Sequence, residues 1–153
     1  MMPGVDAVVA FYESLEPATL PRLDEFYAAH ASFKDPFNEV RGLDAIRRIF
    51  EHMFATLNAP RFVVTGRVAD ADCAVLIWEF RFGERGRERT IRGASHLTFD
   101  ANGRISDHRD YWDAAEELYA TLPLLGWLMR RLQRALRAPP LAEKHTSGTR
   151  FSS

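Results

Sequence analysis

An alternation of apolar and polar residues runs through residues 61–112, RFVVTGRVADADCAVLIWEFRFGERGRERTIRGASHLTFDANGRISDHRDYW. A period of two residues is typical of β-strands that bury one face. Turn-forming residues interrupt this run at positions 70–72, 84–86 and 100–103, and such residues join strands by tight turns. The sequence therefore predicts a series of antiparallel strands in the second half of the chain.

The chain before this run shows the longer period of amphipathic helices. Apolar residues at helical spacing predict a first helix over about residues 5–15. A second short helix that includes Tyr27 is expected to run into a strand at about residues 30–35. The clearest helix lies between Gly42 and Pro60, and its apolar face is formed by Ile46, Ile49, Phe50, Met53, Phe54 and Leu57.

Helical spacing returns after the last predicted strand. Asp113 and Glu116 have the spacing of a capping box, which marks a helix start. Residues 124–137 place leucines on one face and arginines on the other. We expect this helix to pack within a homodimer, and contact with an anionic membrane surface is the alternative. The sequence thus predicts one domain over residues 1–137, followed by a disordered tail at 138–153.

Composition limits the classes of function. The chain has 153 residues, of which 46% are apolar and 12% aromatic, so one domain can bury a sizeable core. Its 20 basic and 21 acidic residues are spread along the chain, which argues against a nucleic-acid partner. Cys73 is the only cysteine, so no internal disulfide can form. We expect a soluble, cytoplasmic protein with a small hydrophobic molecule as its partner.

Two carboxylates lie inside apolar, strand-like segments. Asp35 belongs to FKDPF at residues 33–37, and Asp110 belongs to HRDYWD at residues 108–113. An ionised carboxylate loses its hydration when buried, so these two indicate a pocket that uses them. If the strands alternate as predicted, one cavity would receive Tyr12, Asp35, Ser95, His108, Asp110 and Trp112. Its apolar lining would be formed by Phe33, Met53, Phe54, Trp78, Phe80 and Phe82.

Each polar candidate also has a purely structural interpretation. Asp35 could serve only to start a turn before a proline. Asp110 could form an ion pair with His108, and Tyr12 could be a core tyrosine whose hydroxyl is hydrogen-bonded. Ser95 could bond a neighbouring backbone group. The histidines show no recognised ligand spacing, so we expect no metal site.

The order of helix, helix, strand, helix and antiparallel strands is that of an α+β domain whose strongly curved sheet wraps around a long helix, a cystatin-like roll. This arrangement resembles the cone-shaped fold of nuclear transport factor 2. Ketosteroid isomerases, limonene epoxide hydrolases and SnoaL-type polyketide cyclases share that fold. The resemblance covers about residues 5–120.

Two motifs are similar to those of ketosteroid isomerases. Tyr12 in VAFY and Asp35 in KDP match a tyrosine of the first helix and an aspartate at the end of the first strand. The resemblance implies that Asp35 is the general base and that Tyr12 donates a hydrogen bond to the enolate oxygen. Isomerases also place a protonated aspartate before a histidine on the penultimate strand, where this chain has Ser95 before His96.

The segment RDYWD at residues 109–113 resembles the last strand of epoxide hydrolases and polyketide cyclases. In those families an aspartate on that strand acts as an acid or a base, and Asp110 occupies the matching position. Epoxide hydrolases add an arginine and a second aspartate on the preceding strand. Residues 91–98 offer Arg92 but no carboxylate.

Together these resemblances imply an isomerase-like or cyclase-like enzyme without a metal or organic cofactor. Asp35 and Asp110 would exchange a proton with a hydrophobic ketone or related substrate, while Tyr12, Ser95 and His108 would polarise an oxygen. The alternatives are an epoxide hydrolase, and a non-catalytic module of the same fold that binds a hydrophobic ligand or another protein.

Overall fold

The computed structural model describes residues 4–112, which form three α-helices, one 3-10 helix and six strands. The helices are α1 (Val5–Glu13), the 3-10 helix (Pro17–Arg22), α2 (Leu23–Phe26) and α3 (Leu43–Thr56). The strands are β1 (Tyr27–Lys34), β2 (Glu39–Arg41), β3 (Asn58–Ala69), β4 (Cys73–Glu84), β5 (Arg87–Phe99) and β6 (Ile105–Tyr111).

All six strands belong to one sheet in the order β2-β1-β6-β5-β4-β3. Every neighbouring pair is antiparallel except β1 and β6, which run parallel. The two tight turns between β3, β4 and β5 lie where the sequence predicted them. The predicted fold class, an α+β domain with a curved and mainly antiparallel sheet, is therefore confirmed.

The parallel pair β1 and β6 brings two distant segments to the same end of the sheet. Phe33 is the partner of His108 in the register, and Lys34 is the partner of Arg109. Asp110 follows Arg109 in β6, and Asp35 lies directly after Lys34, the last residue of β1. The topology therefore places the two carboxylates side by side, although 75 positions separate them in the sequence.

The core lies between one face of the sheet, called here the inner face, and the helices. Leu76, Leu97 and Ile105 on this face are at most 1% exposed, as is Ile46 of α3. The strand period of two and the helix period of 3.6 each concentrate apolar residues on one side, so burial follows from the pattern. Each such side chain contributes about 1.5–3 kcal/mol when fully buried.

Three local expectations are corrected by the structure. Tyr27 begins β1 instead of ending a helix, because its backbone is extended at ψ 141°. Pro60 does not end α3: the helix stops at Thr56, and Pro60 lies in β3 where the register shifts after Ala59. Proline is tolerated at such bulges because no ladder hydrogen bond is needed there. The short strand β2 was not predicted.

The predictions for the C-terminal part lie outside the described residues. They comprise the helix start at Asp113, the amphipathic helix at 124–137 and the tail at 138–153. The boundary of the domain at residue 137 also stays a prediction. Within residues 4–112, no helix is long and apolar enough to cross a lipid bilayer.

Candidate functional site

Six side chains from α1, β1, β4, β5 and β6 meet in a connected set of hydrogen bonds at the inner face of the sheet. We call this set the Asp110 network, because its two branches converge on that carboxylate. Its members are Tyr12, Tyr27, Trp78, Ser95, His108 and Asp110.

The first branch reaches Asp110 through His108. The distance from His108 Nε2 to Asp110 Oδ1 is 2.6 Å. On the other side of the ring, Nδ1 lies 2.6 Å from the hydroxyl oxygen of Tyr27 and 3.1 Å from that of Tyr12. The hydroxyls of Tyr12 and Tyr27 are also hydrogen-bonded to each other. This branch therefore contains two phenols and one imidazole in series.

The second branch reaches Asp110 through Ser95. The indole Nε1–H of Trp78 donates to Ser95 Oγ at 2.8 Å, and Ser95 Oγ donates to Asp110 Oδ1 at 2.5 Å. An indole nitrogen can only donate, so the serine oxygen accepts from it and directs its own single hydrogen to the carboxylate. Both branches thus end on the same oxygen of Asp110.

The strand registers explain why these side chains meet. Ser95 lies directly opposite Asp110 across β5 and β6, and His108 shares the face of Asp110 because residues two apart point the same way. Trp78 faces Gly93 across β4 and β5. A Cβ atom on Gly93 would lie less than 3.0 Å from atoms of the indole ring, so the missing side chain allows Trp78 to lie close against β5.

The network is almost completely removed from water. Ser95 is 5% exposed and His108 is 2% exposed, whereas the side chain of Asp110 keeps 13% of its surface exposed. Burial raises the pKa of both Tyr12 and Tyr27 well above the usual value for a phenol, and the nearby Asp110 carboxylate also acts in this direction. The two tyrosines are therefore neutral hydrogen-bond donors.

Asp110 lies between two cavities of very different size. The inner cavity has a volume of about 20 Å³, room for about one water molecule. The outer groove is open to solvent, with about 620 Å³. The inner cavity is lined by Tyr12, Phe50, Phe62, Val64, Leu76, Trp78, Ser95, His108 and Asp110. The outer groove is lined by Lys34, Asp35, Pro36, Arg109, Asp110, Tyr111 and Trp112.

Asp35 starts a turn and also faces the outer groove. Its Oδ1 accepts hydrogen bonds from the backbone N–H groups of Phe37 at 2.7 Å and Asn38 at 2.6 Å. The side-chain amide of Asn38 donates to Oδ1 at 3.1 Å and to Oδ2 at 3.0 Å. Burial raises the pKa of Asp35 despite these donors, and the charge of Asp110 adds to the increase. The carboxyl group therefore combines a structural position with an altered acidity.

The structure brings together five of the residues that the sequence singled out: Tyr12, Trp78, Ser95, His108 and Asp110. Asp35 and Trp112 line only the outer groove, where the Trp112 ring contacts Phe37 at a centroid distance of 5.2 Å. Phe33 packs against the ring of His108 at 4.6 Å. Neither cavity is lined by Met53, Phe54, Phe80 or Phe82. The roles of all these residues in catalysis or binding stay predictions.

Tyr27 is the member of the network that sequence reasoning missed. The spacing of Leu23, Phe26 and Tyr27 predicts a helix there, yet the buried Ala31 and Phe33 of β1 lie at odd-numbered positions, as Tyr27 and Asp35 do. Following that alternation back from Asp35 would have placed Tyr27 on the face of the site. Phe50, Phe62, Val64 and Leu76 were also missed as lining residues, since nothing in the sequence distinguishes them from the remaining core.

Within residues 4–112, no three histidine, cysteine, aspartate or glutamate side chains are grouped so as to hold a metal ion. The hydrogen bonds of the Asp110 network already occupy both nitrogens of His108. The expectation of a site without a cofactor stays a prediction.

Comparison with known protein families assigns the chain. The profile of the SnoaL-like domain matches residues 8–108. This range includes five of the six members of the Asp110 network and ends two residues before Asp110 itself. The chain belongs to the SnoaL-like domain family. No curated protein matches the sequence of this SnoaL-like chain significantly.

Solved structures share the fold of this SnoaL-like chain at low sequence identity. An NTF2-like protein of unknown function from Burkholderia pseudomallei has 20% identity and a TM-score of 0.65, with 78% of this chain and 97% of that chain covered. A Catenulispora acidiphila protein with a ketosteroid isomerase-like fold, in complex with trimethylamine, has 18% identity and a TM-score of 0.63, covering 78% and 92%. TerC, co-crystallised with polyporic acid, has 15% identity and a TM-score of 0.65, covering 74% and 94%. These similarities show a shared fold, and the match to the SnoaL-like domain family confirms the predicted superfamily.

Proposed function

We propose that this SnoaL-like protein is an enzyme that moves protons on a small hydrophobic ketone or related molecule bound in the outer groove, with Asp110 as the general base. One observation carries the proposal: two hydrogen bonds from a buried network converge on a single oxygen of a carboxylate that lines an open groove. A fixed, partly desolvated carboxylate is a typical general base.

The network gives the two oxygens of Asp110 different roles, because its hydrogen bonds reach only Oδ1. Oδ1 receives short hydrogen bonds from Ser95 and His108, which hold the carboxylate in a fixed position. Among residues 4–112 no hydrogen-bond donor reaches Oδ2, and we assign the contact with the ligand to this oxygen. In the proposed reaction, Oδ2 accepts a proton from a carbon next to the substrate carbonyl.

Asp35 supplies the matching acid. Its pKa is raised by burial and by the charge of Asp110, which favours the protonated form. Oδ1 accepts both backbone donors, whereas Oδ2 accepts only the side-chain amide of Asn38, so Oδ2 is the oxygen that carries the proton when Asp35 is protonated. Asp35 would give this proton to the substrate as Asp110 accepts another, so the total number of protons is unchanged. The open groove lets both carboxyl groups re-equilibrate with water afterwards.

The outer groove suits a small ligand with an apolar body. Pro36, Tyr111 and Trp112 provide apolar and aromatic surface beside the two carboxyl groups. The groove volume of about 620 Å³ is in the range of small-molecule sites. The complexes of structurally similar proteins with trimethylamine and with polyporic acid are consistent with small organic ligands on this fold.

Hydrogen–deuterium exchange tests the proposal with a panel of hydrophobic ketones in place of the natural substrate. The purified protein would be incubated with each ketone in D₂O, and deuterium uptake next to the carbonyl measured by mass spectrometry. We expect the wild-type protein to accelerate uptake for at least one ketone, and Asp110→Asn to lower that rate about 100-fold or more. Asp107→Asn, an exposed carboxylate on the same strand, is the matched control and should keep the wild-type rate.

Either of two results in the exchange experiment would contradict the proposal. If no ketone of the panel gains deuterium faster than in buffer, or if Asp110→Asn exchanges as fast as the wild type, Asp110 is not the general base. An Asp107→Asn variant that loses activity together with Asp110→Asn would point to a general loss of the fold.

A second candidate function is a module that binds without catalysis, because the outer groove is not lined by Tyr12, Ser95 or His108 and a ligand there does not meet these polar groups. Trp78 occupies the inner face of the sheet, and the remaining space of about 20 Å³ cannot receive an organic molecule. In that case the groove would hold a hydrophobic ligand whose affinity is similar in the wild type and in Asp110→Asn. Ligand binding measured by calorimetry, together with absent deuterium uptake, would select this function.

A further inference from the structure

We propose that Tyr27 is a positioning residue that fixes the tautomer of His108, so that Asp110 always receives a hydrogen bond from this ring. Nothing in the sequence motifs assigns a role to Tyr27. The inference rests on the proposed function only in so far as Asp110 is the reacting group. The hydrogen-bonded geometry that carries it is independent of any substrate.

The first step follows from what a carboxylate can do. Ionised Asp110 only accepts hydrogen bonds, so the contact of 2.6 Å to His108 requires a hydrogen on Nε2. In the neutral ring the other nitrogen then carries a lone pair and accepts. Nδ1 is buried with the rest of His108, and a buried acceptor without a donor is costly. A hydroxyl group must therefore face Nδ1.

The second step selects Tyr27 over Tyr12 as this donor. The single lone pair of Nδ1 accepts one hydrogen, and the hydroxyl of Tyr27 lies at 2.6 Å whereas that of Tyr12 lies at 3.1 Å. The hydrogen of Tyr12 is then free to go to the oxygen of Tyr27, with which it is hydrogen-bonded. Tyr12 therefore donates its hydrogen bond to Tyr27, Tyr27 donates to His108, and His108 donates to Asp110.

The third step concerns the consequence of losing the Tyr27 hydroxyl. Without it, the one hydroxyl left near Nδ1 is that of Tyr12 at 3.1 Å, which can either donate to Nδ1 or accept a hydrogen from it. The tautomer with its hydrogen on Nδ1 therefore becomes populated, and in that form the ring presents the lone pair of Nε2 to the carboxylate of Asp110. Two acceptors repel each other, so Asp110 would lose one of its two donors and shift within the groove. Tyr27 thus acts on the reacting group through His108, without touching a ligand.

The tautomer can be observed directly in the full-length protein by ¹⁵N NMR of labelled histidine. We expect His108 of the wild type to show a hydrogen on Nε2 only, and Tyr27→Phe to add a population with a hydrogen on Nδ1. Tyr12→Phe is the matched control, because it removes the outer hydroxyl and leaves the donor at Nδ1 in place. Deuterium uptake by the ketone should fall about tenfold or more in Tyr27→Phe, as expected for one hydrogen bond to a charged group.

A second measurement keeps the proposal testable if Tyr27→Phe does not fold. Incorporation of 3-fluorotyrosine at position 27 alone keeps the hydroxyl group and makes the phenol a stronger donor, so the Nδ1 resonance of His108 should move away from its free-base position. An unchanged Nδ1 resonance, or an unaltered tautomer in folded Tyr27→Phe, overturns the role of Tyr27. Neither result depends on turnover, so the proposed function would still be judged separately by Asp110→Asn.

Discussion

Two aspartates at the same end of the sheet show how surroundings set the chemistry of one residue type. Asp110 has charge-assisted donors on one oxygen, and Asp35 has backbone donors within its own turn. Burial raises the pKa of Asp35 in spite of those donors, and the neighbouring charge of Asp110 strengthens the effect. Two nearby carboxyl groups rarely ionise together, so one base and one acid are the expected pair.

The raised pKa of Asp35 predicts a pH dependence of stability. The folded protein binds the proton of Asp35 more tightly than the unfolded chain, whose aspartates have their usual value near 3.8. The free energy of unfolding should therefore fall as the pH rises from about 3.8 through the raised pKa. Asp35→Asn should remove this part of the slope. Urea denaturation between about pH 4 and pH 7 would measure it.

Asp70 provides a control of opposite sign for this experiment. Hydrogen bonds from the backbone of Asp72 and Cys73 lower the pKa of Asp70, so its contribution to stability is lost as the pH falls. Asp70→Asn should flatten the acid side of the profile and leave the decline toward neutral pH unchanged. A wild-type profile identical to that of Asp35→Asn would contradict the assigned acidity of Asp35.

At the scale of elements, the strength of the local pattern decided what the sequence could predict. Strands β4 and β5 alternate over 12 and 13 residues and end at tight turns, so their position and their buried faces were predictable. The three residues of β2 are too few to show an alternation, and their pairing with β1 is a tertiary event. The helical spacing of Leu23, Phe26 and Tyr27 likewise hid the start of β1 at Tyr27.

The sequence predicted the parts of the candidate site that depend on the register of the strands. It did not predict the parts that depend on the volume of the cavity. Ser95, His108 and Asp110 could be placed together because period-2 alternation on neighbouring strands leaves little choice. The sequence also predicted one cavity shared by all the polar candidates, whereas Trp78 fills the inner face and leaves room for about one water molecule. Side-chain packing in three dimensions sets such volumes, and a linear pattern does not contain it.

The close packing of Trp78 on Gly93 makes a prediction for the β4 and β5 pair. Gly93→Ala would introduce a Cβ atom less than 3.0 Å from the indole ring, so Trp78 must move and its hydrogen bond to Ser95 must lengthen or break. We expect the free energy of unfolding to drop by about 1–3 kcal/mol, as for other overpacked sites. Denaturant unfolding gives this value, and the indole N–H resonance of Trp78 reports the displacement.

Gly66→Ala is the appropriate comparison for Gly93→Ala. Gly66 also lies in a strand, yet a Cβ atom there would meet the side chain of Ile77 at 3.6 Å, an ordinary van der Waals distance. This variant should unfold within about 0.5 kcal/mol of the wild type. If both alanine variants behave alike, the contact between Trp78 and Gly93 is not the reason for the glycine.

For the molecule as a whole, the two faces of the sheet differ in what covers them. The inner face packs on the helices, while the opposite face exposes large apolar side chains: Val68 is 72% exposed, Ile77 50% and Tyr111 51%. Ile77 and Tyr111 lie in one row across β4, β5 and β6, with Ala94 between them. We call Val68, Val75, Ile77 and Tyr111 the exposed apolar patch. Exposed apolar patches of this kind mark interaction surfaces.

We propose that this patch joins two copies of the chain, in keeping with the homodimer expected from the sequence. Burying it would remove four apolar side chains from water, whereas a lysine at its centre would place a charge in the interface. Ile77→Lys should therefore shift the protein from dimer to monomer in sedimentation equilibrium at micromolar concentration. Ala55→Lys, which adds the same charge to an exposed position of α3, should remain dimeric. A wild-type protein that sediments as a monomer at about 100 μM, well above the concentrations of typical specific dimers, would show that the patch does not pair two copies.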